Sequence, residues 1–209
     1  MTVTTHVRAK PGMPFDEQLW IDVWNMSRDD DDGMFDGDGS SLLIVPRSRA
    51  KEQHVRLTIC SKDCALHALL QFEPQVTGSI VVSPGLLGPE RADLLLQLVE
   101  WTRPAEVCFW GDPDPVDVVS FLWIQRLLAG VRCRWIELPE RYGGVELRLQ
   151  RVERELIGIL ANHSVVLPLD RSHRDRWSRG EKIELESQVL YRRFASADAV
   201  ALFGAGDSE

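Results

Sequence analysis

The sequence predicts an α/β domain of the doubly wound type, with a mainly parallel sheet, a short N-terminal helix and a helical C-terminal extension. Three observations carry this expectation. Short apolar runs recur at residues 42–45, 55–60, 80–82, 107–110 and 131–136, and their continuity suits strands buried on both faces. Helical patterns lie between them, over 63–72, 89–102 and 116–128; strands alternating with helices build βαβ units with right-handed crossovers. Pro89 stands where a first helical turn needs no N–H, and Gly130 where a helix can stop.

Taken in order, residues 14–26 set Phe15, Leu19, Trp20, Val23 and Trp24 at helical spacing and predict an amphipathic helix. The next stretch, 29–39, is dense in aspartate and glycine. Its acids do not meet the EF-hand spacing and no glutamate closes a calcium loop, so a self-repelling loop is expected over 29–38. The α/β core is expected over 42–138, after an N-terminal region of 1–41. From 139 to 209 the pattern turns helical. Helices are expected over 145–160, where Leu149, Val152, Leu156, Ile159 and Leu160 share a face, and over 181–194. A short strand is expected at 165–167, and 204–209 read as a frayed tail.

Composition narrows the function classes. The 209 residues are 44% hydrophobic and 27% charged, which is ordinary for a globular chain with a substantial core. No apolar run reaches the length of a membrane span, and the first ten residues lack the apolar stretch of a signal peptide; a cytoplasmic protein is expected. Cys60, Cys64, Cys108 and Cys133 form no CxxC pair and have no histidine at zinc-ligand spacing, so they read as buried free thiols. The net charge of −8 argues against nucleic-acid binding by bulk electrostatics alone, although 141–193 is rich in arginine.

In an open α/β sheet, ligands bind beyond the C-terminal ends of the strands. That gathers Ser61, Lys62 and Asp63, the turn from Ser83 to Gly88, and the stretch from Gly111 to Asp117. The last is chemically the most pointed. Asp112 and Asp114 bring two carboxylates to one strand end, Asp117 follows, and hard ions such as magnesium favour clustered carboxylate oxygens. The same Asp-Pro-Asp-Pro string is also good turn chemistry, with an aspartate placed to cap a helix. The Ser83 to Gly88 turn is a weaker phosphate candidate, since it matches neither a Walker A nor a dinucleotide fingerprint. His67 reads as a packed residue, and His163 and His173 have no assignable partner in the sequence.

The string Val107-Cys108-Phe109-Trp110-Gly111-Asp112-Pro113-Asp114-Pro115 resembles the second motif of Toprim domains, a hydrophobic strand running into Gly-Asp-x-Asp. Its aromatic residue before the glycine is similar to the Wadjet nuclease subunit JetD and to the topoisomerase VI A subunit. The resemblance covers about residues 42–137, and the string from Lys182 to Glu186 resembles a charged motif late in the JetD-type domain. It implies a magnesium-dependent (or manganese-dependent) nuclease of anti-plasmid or anti-phage defence, with Asp112 and Asp114 catalytic and metal-binding. Two positions depart from the family. Ser61 stands where the family has its glutamate, with Asp63 two residues away as a substitute carboxylate, and Asp117 stands where a glycine is usual.

The resemblance therefore implies either an active enzyme using Asp112, Asp114 and Asp63, with Asp117 as a further metal ligand, or a degenerate derivative. An alternative of another class is a catalytically inactive interaction module that docks a partner protein through Trp20 and Trp24. Arg171, Arg174, Arg176 and Arg179, close to Trp177, are the candidate DNA-phosphate contacts, against a plain solvated face balanced by Asp170, Asp175 and Glu181. JetD-type nucleases carry a DNA-binding region ahead of the Toprim domain. Some forty residues precede the core here, so DNA is expected to be engaged with a partner subunit or as an oligomer.

Overall fold

The computed structural model describes residues 17–28, 43–45, 56–62, 79–83, 85–136 and 146–184. The expected helix over 63–72, the acidic loop, the tail, and Asp63, Cys64 and His67 lie outside the described residues. So does the side chain of Trp24.

The elements run α1 (Glu17–Arg28), β1 (Leu43–Val45), β2 (Arg56–Cys60), β3 (Ser79–Val82), α2 (Pro89–Thr102), β4 (Glu106–Trp110), α3 (Pro115–Leu127) and β5 (Arg132–Ile136). They continue with β6 (Glu146–Arg148), α4 (Arg151–Asn162), α5 (Arg171–Ser178) and β7 (Glu181–Ile183). The main sheet has the order β1-β3-β2-β4-β5. Strands β3, β2, β4 and β5 are parallel, and β1 pairs antiparallel at the β3 edge. This is the doubly wound α/β architecture that the sequence predicts. The chain steps from β2 outward to β3 and then returns to the other side of β2 as β4, so the topological switch falls between β2 and β4.

Parallel register puts Leu57, Ile59, Val81, Val107 and Phe109 on one face of the sheet. They join one buried core with Val118, Phe121 and Leu122 of α3 and Leu95 and Leu98 of α2. The C-terminal extension shares that core. Leu149, Val152, Leu156, Leu160 and Trp177 are all part of it, and α4 lies against both α1 and α3. Helix α4 opens on a capping box, in which the Glu153 carboxylate accepts the Gln150 N–H at 2.6 Å. At the opposite end of the sheet from the switch-point loops, Glu106 of β4 pairs with Arg56 of β2 (3.2 Å) and with Arg132 and Arg134 of β5 (both 3.3 Å), tying three strands together.

Three expectations for the extension are corrected. Residues 146–148 are a strand, and the helix begins only at Arg151, because Glu146, Leu147 and Arg148 pair with Ile183, Lys182 and Glu181. The same pairing makes Glu181–Ile183 strand β7 rather than the start of a helix. Residues 165–167 form no strand; Val165 instead closes the end of α4 by donating its N–H to the Leu160 carbonyl. Helix α5, by contrast, lies in a stretch to which no element had been assigned.

Trp20 does not face outward. It is buried and packs on Trp123 with ring centroids 4.6 Å apart, a contact of about 0.5–1.5 kcal/mol beyond its area. It is core, not a docking surface. Cys60, Cys108 and Cys133 are thiols outside any disulfide, the first two buried as expected and Cys133 half-buried, and burial raises Cys108 to about 11 and Cys133 to about 12. Burial thus favours the protonated thiol at neutral pH. No described helix is long and apolar enough to cross a membrane.

Candidate metal centre

The switch between β2 and β4 leaves two chain ends side by side. Ser61 continues β2 and donates its N–H to the Trp110 carbonyl at 3.1 Å, while β4 runs out into Gly111 and Asp112. Gly111 then meets the first turn of α3 at close range. A Cβ there would lie 2.5 Å from Phe109 Cε1 and 2.8 Å from Asp117 Oδ2. Only glycine fits. Gly111→Ala is expected to cost about 1–3 kcal/mol through overpacking and to displace the Asp117 carboxylate, as read by denaturant unfolding.

With that space kept clear, Asp117 Oδ2 accepts two hydrogen bonds at 2.6 Å, from the Asp112 N–H and from the Ser61 hydroxyl. Asp114 caps α3, its Oδ1 accepting the Asp117 N–H at 2.9 Å. The turn reading is met by Asp114 as the helix cap. Among the described residues, Asp112, Asp114 and Asp117 form a buried group in which one carboxylate oxygen of each lies within 4.8 Å of the others. Hard oxygen donors in that number and at that spacing fit a divalent cation such as magnesium.

Two lysines approach the group. Lys62 Nζ lies 3.4 Å from Asp112 Oδ2, with its side chain 32% exposed. Lys182, on β7, is 6% exposed and lies 3.7 Å from Asp114 Oδ2, 2.8 Å from Glu153 Oε1 and 3.2 Å from Glu184 Oε1. Burial raises the Asp114 pKa, with Lys182 opposing. Burial and then the charges of Asp114 and Asp112 push Asp117 well above the usual carboxylate range, against its two hydrogen bonds. For Lys182, burial favours loss of the proton, but Asp114, Glu153 and Glu184 outweigh it and hold its pKa above the ordinary value.

The extension also clamps the turn itself, since Trp177 of α5 donates its indole N–H to the Pro113 carbonyl at 3.0 Å. Trp177 is buried, so it is not a stacking platform for a base. The four arginines around it are answered locally. Arg171 pairs with Asp175 at 3.6 Å, Arg179 with Glu181 at 3.1 Å and Arg176 with Glu146, while Arg174 Nε donates to the Asp170 carbonyl at 3.2 Å. His163 has a partner after all, Asp22 of α1 at 2.8 Å. His173 is buried in α5, where its N–H is capped by Asp170 at 3.0 Å. In the Ser83 to Gly88 turn, Leu86 and Leu87 are both buried in the core, and Gly88 at the head of α2 offers no side-chain cap.

The structure thus brings together Asp112, Asp114, Asp117 and Ser61, and adds Lys62, Lys182 and Glu153. Lys62 lies in the strand-end stretch that the sequence points to and Lys182 in the string that resembles a late JetD-type motif, whereas nothing local marks Glu153. A comparison with models of known protein families gives no match, and a sequence comparison with curated proteins gives none either.

Proposed function

We propose that the chain is a Toprim-like domain that binds magnesium or manganese and acts on DNA phosphodiester bonds, in the cytosol and in the setting of anti-plasmid or anti-phage defence. The observation that carries this reading is the convergence of three buried aspartates within 4.8 Å at the topological switch of the sheet. Asp112, Asp114 and Asp117 would hold the ion. Bound there, it would supply charge stabilisation for a phosphoryl oxygen.

The chain's own residues account for the rest. Gly111 and Ser61 fix Asp117, and Asp114 fixes the start of α3. Lys62, partly exposed beside Asp112, is suited to meet a phosphate. Ser61 cannot do the work of a glutamate, so no proton transfer is assigned to it. Arg171 and Arg174 are exposed on α5 and Arg179 just after it; the helix is tied to the aspartate turn through Trp177, and these arginines would contact the DNA backbone with a partner subunit or in an oligomer.

A second reading, a catalytically inactive interaction module, is favoured by one feature. Lys62 and Lys182 already pair with Asp112 and Asp114. Titration calorimetry with Mg2+ and Mn2+ separates the two. The wild type is expected to bind at about millimolar affinity or tighter, and Asp112→Ala/Asp114→Ala to lose binding while staying folded. The wild type should then nick supercoiled plasmid and the double variant should not. Absence of binding in a folded wild type overturns the metal reading and leaves the interaction module.

A further inference from the structure

The site contains more charge than its three aspartates account for. Lys182 joins Glu153 and Glu184 to the aspartate group through Asp114, so four carboxylates, those of Asp112, Asp114, Glu153 and Glu184, face the two ammonium groups of Lys62 and Lys182, and Asp117 adds a fifth beside them. Sites that cleave phosphodiesters often place two cations about 3.5–4 Å apart, with a carboxylate shared between them. Here Asp114 is the shared carboxylate. It belongs to the aspartate group on one side and faces Lys182 Nζ, 3.7 Å away, on the other.

From this arrangement we infer that Lys182 is a built-in cation, its ammonium held by Asp114, Glu153 and Glu184 in the place a second divalent ion would take, so that the site accepts one ion only. The inference rests on the reading of Asp112, Asp114 and Asp117 as an ion site. Several features fix the ammonium in that role. The ammonium is ringed by three carboxylates that arrive from the head of α3, the first turn of α4 and the residue after β7, at 3.7, 2.8 and 3.2 Å. The backbone of Lys182 is registered against Leu147 in the two-stranded sheet, and Glu153 is anchored by the Gln150 N–H. Lys182 is too deeply buried to touch a polynucleotide directly, since only 6% of its side chain is exposed. It is a positioning residue, holding Asp114 and supplying positive charge without a metal.

The test counts ions by Mn2+ electron paramagnetic resonance and calorimetry on the full chain. The wild type and Lys182→Arg, which keeps the charge, are expected to bind one Mn2+ per chain. Lys182→Ala, which vacates the space between Glu153, Glu184 and Asp114, is expected to bind two. A Lys182→Ala protein that binds one ion with wild-type affinity overturns the inference and leaves the aspartate site standing; a wild type that binds two ions does the same. A folded wild type that binds none overturns the aspartate site and this inference together. If Lys182→Ala is unfolded without metal, Mn2+ is expected to restore its thermal transition, with a larger shift than in the wild type. Failure of Mn2+ to restore it overturns the inference.

Discussion

Lys182→Met is expected to lower the free energy of unfolding by about 3–5 kcal/mol, the usual cost of removing one partner from a buried ion pair. Methionine keeps the length and most of the volume of the stem, so the loss reports charge rather than packing. Glu153 has no exposed surface and would be left buried beside Asp114 with no cation between them. Neutralising it as well should recover most of the loss, because Glu153→Gln retains an oxygen that can accept the Gln150 N–H of the capping box. Urea unfolding of the wild type, Lys182→Met, Glu153→Gln and the double variant forms a complete cycle. A double variant as unstable as Lys182→Met would show that the lysine acts through its packing.

The same lysine shows where sequence reasoning reaches its limit. The sheet was legible because most strands of the core carry a short apolar run (β5, with Arg132 and Arg134, is the least continuous), and the helices between them carry their own punctuation in Pro89, Pro115 and Gly130. The Gly111 to Asp114 turn was legible because its carboxylates are close in sequence and lie at a strand end. Strands β6 and β7 were not. Each is three residues long, too short to show a period of two, and Leu149 just after β6 fits the helical spacing of the segment that follows. Their identity comes from pairing with each other across more than thirty positions. Lys182 reaches the site through that pairing, so its string showed a family resemblance but not its place beside the aspartates, and Glu153, in the first turn of α4, has no local signal at all. Helix α5 has so many charges that its apolar pattern reduces to Trp177, and the Asp170 cap was its one readable sign. Trp20 shows the converse limit. An amphipathic helix declares an apolar face, but not whether the rest of the chain covers it; here Trp123 does.

Asp117 gives the pH dependence of the fold a definite sign. Its pKa in the folded protein is raised by burial and by the charges of Asp114 and Asp112, and that of Asp114 is raised chiefly by burial. Below about pH 4 both groups are protonated in the folded and unfolded chains alike. As the pH rises past that value, the unfolded chain releases its protons while the folded chain retains them. Their contribution to stability is therefore full in acid and is lost as the pH climbs through the folded values. Asp117→Asn removes the larger part of this effect, since an amide oxygen can accept from Ser61 and from the Asp112 N–H without ionising. Its stability is expected to fall less steeply between about pH 4 and pH 8, and at neutral pH it should exceed that of the metal-free wild type. A divalent ion bound at the aspartates favours their ionised forms, so it should flatten the wild-type profile and release protons on binding. Calorimetry in buffers of different ionisation enthalpy counts those protons. Parallel stability profiles for the wild type and Asp117→Asn would mean that Asp117 is already ionised in the folded chain, its charge balanced by Lys62 and Lys182, and that the aspartates are held together by their hydrogen bonds rather than waiting for a cation.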